Sequence, residues 1–386
     1  MAEPLDEVLS WLASQRPAME ALLRPLVLQN SFTESRAGSN AVADLLLAAL
    51  GGLGLSVERI PSRRFGDHLF LATPAAGAPV FLLGHTDTVF PPGTFEGYES
   101  DGAIARGPGV LDMKGGLVVL VFALRALAQA GVLSQIPLAG LVVSDEEVGS
   151  PESQPIIRER ARGATAALGL ESGRAGDLLV TRRKGIASVD AVAHGVAAHA
   201  GGDHEKGRNA IWALARFIDR AQALTDYARG VTVSVGRIEG GTARNTVPSG
   251  ASCELDVRVV SSADAREVVE RLAAAAREAA FQGTRIEVRE GVTRPAMERT
   301  EASGALAAEY GECQRASGLG SGEAPLSGGG SDASVTAAAG IPSIDGLGPR
   351  GQGFHTREER VELASFVPKA EALVRFLFRR RQPSRP

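Results

Sequence analysis

Apolar runs in this 386-residue sequence stop at residues that can hold a metal or move a proton. "VFLLG" (80–84) runs into His85, Thr86 and Asp87, "LAGLVVS" (138–144) into Asp145, Glu146 and Glu147, and "AALGL" (166–170) into Glu171. Asp112 follows the loop "RGPGVL" (106–111) and opens a helical pattern. In open parallel sheets ligands gather at the carboxyl ends of the strands, so these positions point to one edge.

Each residue alone has a plainer explanation. Asp112 suits a helix N-cap, His85 a satisfied histidine at a strand end, and Glu171 a solvated carboxylate. Glu146 and Glu147 together are different, because burying adjacent carboxylates needs a cation or a shared proton. A histidine among carboxylates, with no thiolate, favours a divalent ion such as zinc, manganese or cobalt. So many carboxylates suit two ions sharing one ligand rather than a single ion. Asp87, two residues past His85, is placed to accept its second ring N–H and fix the tautomer. Asp145 receives no chemistry.

The segments "GHTDTV" (84–89), "GPGVLDMKGG" (107–116), "SDEEVGS" (144–150) and "LES" (170–172) resemble the aminoacylase and glutamate carboxypeptidase family of dinuclear zinc metallopeptidases. Further likenesses follow in order: "AAHAG" (197–201), "GGTARNTVP" (240–248), "LDVRV" (255–259), "SGGGSDAS" (327–334) and "GFHT" (353–356). The stretch "GGGSDASVTAAAGIPSIDGLGPRGQGFHT" (328–356) is most similar to the glutamate carboxypeptidase branch. The resemblance implies that His85 and Glu171 hold one metal, Glu147 and His355 the other, and Asp112 bridges them across a cis peptide to Met113. It makes Glu146 the general base, so that the catalytic set is Glu146, His199 and Asp87. His199 would reach from an inserted domain into a partner subunit's site and stabilise the oxyanion. Without the resemblance, His355 is a lone loop histidine and His199 a surface histidine in a helix-edge loop.

Substrate contacts rest on the same likeness. Relatives use residues at the positions of Asn245 and Arg258 for the substrate's carbonyl and carboxylate, and a planar guanidinium suits a carboxylate fork. Otherwise Arg258 is a snorkelling strand residue and Asn245 a turn residue. Gly329 and Gly330 would let backbone N–H groups approach that carboxylate. The glycine run lacks the lysine of a phosphate-binding loop, which disfavours a nucleotide site.

The elements that must position these residues alternate strand and helix from Val80. The repeat of Leu117, Leu120, Val121, Leu124 and Leu127 predicts a helix from Asp112 to Gly131, and further strands are expected at 138–144 and 166–172. The rhythm gives a mostly parallel sheet flanked by helices. Residues 182–292 break it with a βαββαβ order, the split ferredoxin-like unit. The fold class is α/β, with a discontinuous catalytic domain (1–181 and 293–386) and an inserted dimerisation domain (182–292). "SDASVTAAAG" reads as a helix, "IPSIDGLG" as a strand and 362–380 as a closing helix.

The formal charge of −4 argues against nucleic acid as a partner, and no apolar stretch reaches membrane-spanning length. The acidic, amphipathic start does not read as a signal peptide, and Cys253 and Cys313 lack metal-type spacing. Both fit a cytoplasmic protein. "FRRRQPSRP" reads as a frayed basic tail. The expected function is hydrolysis of an amide next to a free α-carboxylate, in a peptide or an N-acyl amino acid, by a homodimer joined through the inserted domain. Two divalent ions serve as cofactors, zinc first, cobalt or manganese as alternatives. The rival readings are a deacylase of the acetylornithine deacetylase or succinyl-diaminopimelate desuccinylase type, and a metal-dependent binding protein without catalysis.

Overall fold

A computed structural model describes residues 4–382, without the side chain of Val292. The chain divides into two compact units. One comprises 1–182, 299–327 and 331–386, and the other 183–298 with the short loop 328–330.

The first unit is built on a six-stranded sheet in the order Ser56–Ile60, His68–Ala72, Leu138–Val143, Val80–His85, Ala166–Gly169, Ser343–Ile344. The last four strands run parallel, while His68–Ala72 enters antiparallel. Val80–His85 and Leu138–Val143 are buried at every residue, as strands covered on both faces must be. His85 pairs with Val143, so the chains leave these neighbouring strands at the same level.

The helix Lys114–Gln129 is buried for nearly its whole length, including Leu117, Leu120, Val121, Leu124 and Leu127. Such all-round apolarity belongs to a helix enclosed by others. It packs against Val80–His85 and against the helices Pro4–Ala13, Arg16–Leu28 and Phe366–Phe378. A second group, Ser153–Arg160 and Ala333–Ala338, packs together and against Leu138–Val143 and Ala166–Gly169 respectively.

Several boundaries differ from expectation. The long helix begins at Lys114, and Asp112 precedes its N-cap residue Met113, with the Asp112–Met113 peptide cis. Asp112 is therefore not the cap. The strand expected over 166–172 ends at Gly169, which leaves Glu171 on the following loop. "IPSIDGLG" contributes only the two-residue strand Ser343–Ile344, and the closing helix starts at Phe366 after a tight turn at Leu363–Ser365. The basic end is not frayed at its start. Arg379 reaches Glu312 at 3.1 Å and both guanidinium arms of Arg380 reach Glu309 at 2.7 Å. Its last residues, 383–386, lie outside the described residues.

A small sheet in the same unit orders Gly351–Gln352, Arg360–Glu362, Ile104–Arg106 and Glu99–Ser100, all antiparallel. It brings the hairpin loop 353–359 next to the loop 107–113.

The second unit has the order Gly185–His194, helix Ala210–Gln222, Thr232–Gly240, Gly250–Val259, helix Ser262–Ala279, Arg285–Arg294. Its sheet runs Thr232–Gly240, Gly250–Val259, Gly185–His194, Arg285–Arg294, all antiparallel, which is the ferredoxin-like arrangement. Burial alternates along Gly250–Val259, as in a sheet covered by helices on one face. This unit extends to Glu298, beyond the expected 292, because Met297 returns to exchange backbone hydrogen bonds with Arg183 at 3.0 and 3.1 Å. Among the described residues no helix is long and apolar enough to cross a membrane. Cys253 and Cys313 are buried free thiols, and burial pushes the Cys253 thiol up to about 11, which makes it inert.

Candidate metal centre

The carboxyl ends of the parallel strands carry the side chains that the sequence singles out. His85 ends its strand, and Glu146 and Glu147 form a tight turn, Glu146–Val148, just beyond Val143. Glu171 lies two residues past Gly169. Asp112 arrives on the loop from the small sheet, and His355 on the hairpin between Gly351–Gln352 and Arg360–Glu362. His355 sits at φ +63°, a left-handed conformation uncommon outside glycine.

These residues fall into two groups whose ligand atoms lie within 4.8 Å of one another: His85, Glu146 and Glu171, and Asp112, Glu147 and His355. Asp112 spans both. Its Oδ1 is 3.6 Å from His85 Nε2 and its Oδ2 is 3.3 Å from His355 Nε2. His85 Nε2 is also 3.6 Å from Glu171 Oε1, and His355 Nε2 is 3.1 Å from Glu147 Oε2.

Among the described residues His85 Nε2, Asp112 Oδ1 and Glu147 Oε1 are buried without a hydrogen-bond partner. Such atoms are costly unless something binds them. Separations of 3.6 Å are too long for hydrogen bonds but suit two ligands that each stand about 2 Å from one ion. Four carboxylates in this space also need positive charge. The nitrogen and oxygen donors fit zinc and related divalent ions.

The electrostatics carry the same signature. Burial pushes Glu171 well above the ordinary carboxylate range, and the charge on Asp112 adds to it. Glu147 is pushed up to about 8, first by burial, against the pull of His355. Asp112 is held low despite burial, because His355 and His85 stand beside it. Asp112 and Glu147 raise His355 to about 10. Burial works against a charge on His85, yet Asp112 and Asp87 more than offset it and hold the imidazole above its usual value.

Asp87 is fully buried and accepts the second ring N–H of His85, though through its backbone rather than its carboxylate. His85 Nδ1 donates to the backbone carbonyl of Asp87 at 3.0 Å, while the carboxylate is more distant at 3.4 Å. The tautomer is thus fixed by the Asp87 backbone, which leaves Nε2 able to face an ion. The carboxylate accepts instead from Thr33 Oγ1 at 2.8 Å and from the backbone N–H groups of Glu146 and Glu147 at 3.2 and 3.1 Å. Asp145 accepts from the N–H groups of Glu152 and Ser153 and from the Ser153 hydroxyl, which ties down the start of the helix Ser153–Arg160.

Three features were missed from sequence. Glu359 is fully buried and accepts backbone N–H groups of the loop that carries Asp112. Asp332 and Asp345 line a cavity of about 10 Å³ together with His85, Glu146 and Glu171. Ser150 donates to Asp332 and Ser331 to Asp345. "GGGSD" carried a signal for glycine chemistry but none for these buried acids.

The remaining candidates belong to the second unit. His199 is exposed on the two-residue strand Ala198–His199, not in a helix-edge loop, and pairs with Thr246. Its Nδ1 accepts the N–H groups of Gly201 and Gly202 at 3.2 and 3.0 Å, which places the ring proton on Nε2. Asn245 is exposed nearby and its carbonyl accepts the Ala200 N–H at 3.0 Å. Arg258 grips Asp256 with Nε and Nη2 at 2.7 and 2.8 Å. Gly329 accepts Arg183 Nη1 at 3.1 Å, and a Cβ on Gly330 would stand 2.6 Å from Arg294 Cδ, so a larger residue there would have to displace the Arg294 side chain.

Residues 181–284 match the peptidase dimerisation domain of the M20 family. The chain is 33% identical over 247 residues to succinyl-diaminopimelate desuccinylase of Xylella fastidiosa, covering 58% of this chain and 63% of that one. The fold is shared with aminopeptidase PepT from Bacillus cereus at a TM-score of 0.76 and 24% identity, over 94% of this chain and 98% of the other. Carboxypeptidase G2 of Pseudomonas sp. (strain RS-16) is 30% identical over 376 residues, which covers 96% of this chain and 91% of that protein. With that identity sustained along nearly its whole length, the chain belongs to the M20 family of metallopeptidases and amidohydrolases.

Proposed function

We propose that this protein hydrolyses an amide bond next to a free α-carboxylate, as a glutamate-carboxypeptidase-like exopeptidase or an N-acyl-amino-acid amidohydrolase. The observation that carries the reading is Asp112, whose two oxygens face two histidines, each beside a further carboxylate. His85 with Glu171, and Glu147 with His355, would hold two divalent ions, zinc first, with Asp112 between them. Bound there, the ions supply a more acidic water and a polarised carbonyl.

The chain's own groups do the rest. Glu146 lines the water-sized cavity and serves as the general base, taking a proton from water and passing it to the leaving amine. His199, with its proton on Nε2, donates to the oxygen that gains charge when the carbonyl is attacked. Arg258, whose fork already fits the Asp256 carboxylate, holds the substrate carboxylate together with Asn245 and the backbone of Gly329 and Gly330. The protein works as a homodimer through the unit that matches the dimerisation domain.

The identity to a desuccinylase favours a second reading, removal of an acyl group from a diamino acid. One screen separates the two. The zinc-loaded protein is offered C-terminal glutamyl peptides and N-acetyl, N-succinyl and N-benzoyl amino acids, and released amino acid is measured. Cleavage of glutamyl peptides supports the first reading, and cleavage confined to N-succinyl substrates the second. No cleavage by protein that holds its metal would leave a binding protein.

A further inference from the structure

Resting on that metal reading, we infer that Glu359 is the positioning residue for the shared ligand Asp112, and that it couples Asp112 to His355. Glu359 is fully buried in the first unit. Its Oε2 accepts the Gly109 N–H at 3.0 Å, and its Oε1 accepts the N–H groups of Leu111 and Asp112 at 2.8 and 2.9 Å. Three backbone donors of one loop thus converge on one carboxylate, the kind of concavity that otherwise binds an anion. Only a group with two acceptor oxygens and no donor fills it.

The loop is held on its other sides as well. It enters from the strand Ile104–Arg106, which pairs with Arg360–Glu362 immediately after Glu359. It leaves through the Lys114 N–H, which donates to the Gly109 carbonyl at 2.9 Å. Gly109 itself has φ +72°, and a Cβ there would stand 2.5 Å from Thr88 Cγ2, so the loop lies tight against the end of the central sheet. Glu359 is four residues from His355 in the same hairpin, and its N–H donates to the Thr356 carbonyl at 3.2 Å.

One short segment therefore supplies a ligand from its tip and fixes the backbone of another ligand from its base. The precision matters because Asp112 must reach two partners at once, His85 at 3.6 Å and His355 at 3.3 Å. A shift of its backbone moves one oxygen closer only by taking the other away. Glu359→Gln keeps the size but turns one acceptor into a donor that faces an N–H group. Outer partners of this sort are worth about 10–100-fold in metal affinity.

The test is a zinc titration of the metal-free dimer by competition with a chromophoric chelator, for the parent, Glu359→Gln and Glu359→Asp. Melting of the metal-free proteins is followed in parallel. The expected result is zinc binding weakened about 10–100-fold in both variants, beyond any change in metal-free melting. A purely structural role would lower the melting temperature and leave the affinity of the folded protein unchanged, which overturns the assignment. If Glu359→Gln does not fold, Glu359→Asp decides, since it keeps the charge but withdraws the carboxylate by one methylene. A parent protein that binds no zinc would instead sink the metal reading beneath this one.

Discussion

The Asp87 carboxylate accepts the backbone N–H of Glu147 at 3.1 Å, so a buried acid fixes the turn in which one of the proposed metal ligands leaves the end of the sheet. The same carboxylate accepts the N–H of Glu146 and the hydroxyl of Thr33. Asp87→Asn puts an amide donor against an N–H group in a fully buried site. It should weaken zinc binding by about 10–100-fold and cost about 1–3 kcal/mol of stability. Zinc titration and chemical denaturation check the two parts, and parent-like zinc affinity would remove Asp87 from the outer support of the site.

Glu146 and Glu147 are adjacent yet separable. Glu146→Gln should keep both metal ions and lose at least about 100-fold in kcat, as expected when a general base is removed. Metal content after gel filtration and turnover on the best substrate of the screen are the readouts. Unchanged turnover would assign the base elsewhere.

Metal uptake should release protons. In the metal-free protein Asp112 and Glu147 hold His355 up to about 10, so its imidazole is protonated near neutral pH. That proton must leave before Nε2 can face a cation, and Glu147, itself raised to about 8, is opposed in the same way. Affinity therefore falls as pH falls and rises as pH rises towards the raised values. Calorimetry in buffers of different ionisation enthalpy should show at least one proton released per protein near neutral pH, and a buffer-independent heat would contradict this.

His199 is exposed, and among the described residues its ring takes part in local hydrogen bonds from Gly201 and Gly202. His199→Ala should change stability by no more than about 1 kcal/mol and leave the oligomeric state intact. Loss of an oxyanion donor should lower kcat by about 100–1,000-fold. Full activity would exclude it from the reaction.

What could be read from sequence follows from how local each signal is. His85, Glu146, Glu147 and Glu171 stand out because continuous apolar runs end beside them, and the parallel register of Val80–His85 with Leu138–Val143 and Ala166–Gly169 then levels their ends. The βαββαβ unit is legible from period alone, since each element is long enough to show its buried stripe. His355 and Glu359 have no such marker. They sit in a polar hairpin whose strands, Gly351–Gln352 and Arg360–Glu362, are too short to show a period. Asp145 was opaque for another reason: its partners Glu152 and Ser153 lie across a turn, and three acids in a row do not say which one a helix start will claim.

The hydrogen bond from Gly109 to Glu359 spans 250 positions of the chain, and that from Asp112 spans 247. The sheet that offers His85, Glu147 and Glu171 is complete in all but its edge strand once residue 171 has been made. The hairpin that closes the donor set is synthesised long afterwards. On a ribosome, then, a nascent chain carries a half-built cluster of acids while the residues from 171 to 355 are added, and the two groups of side chains are complete only after His355 has been made.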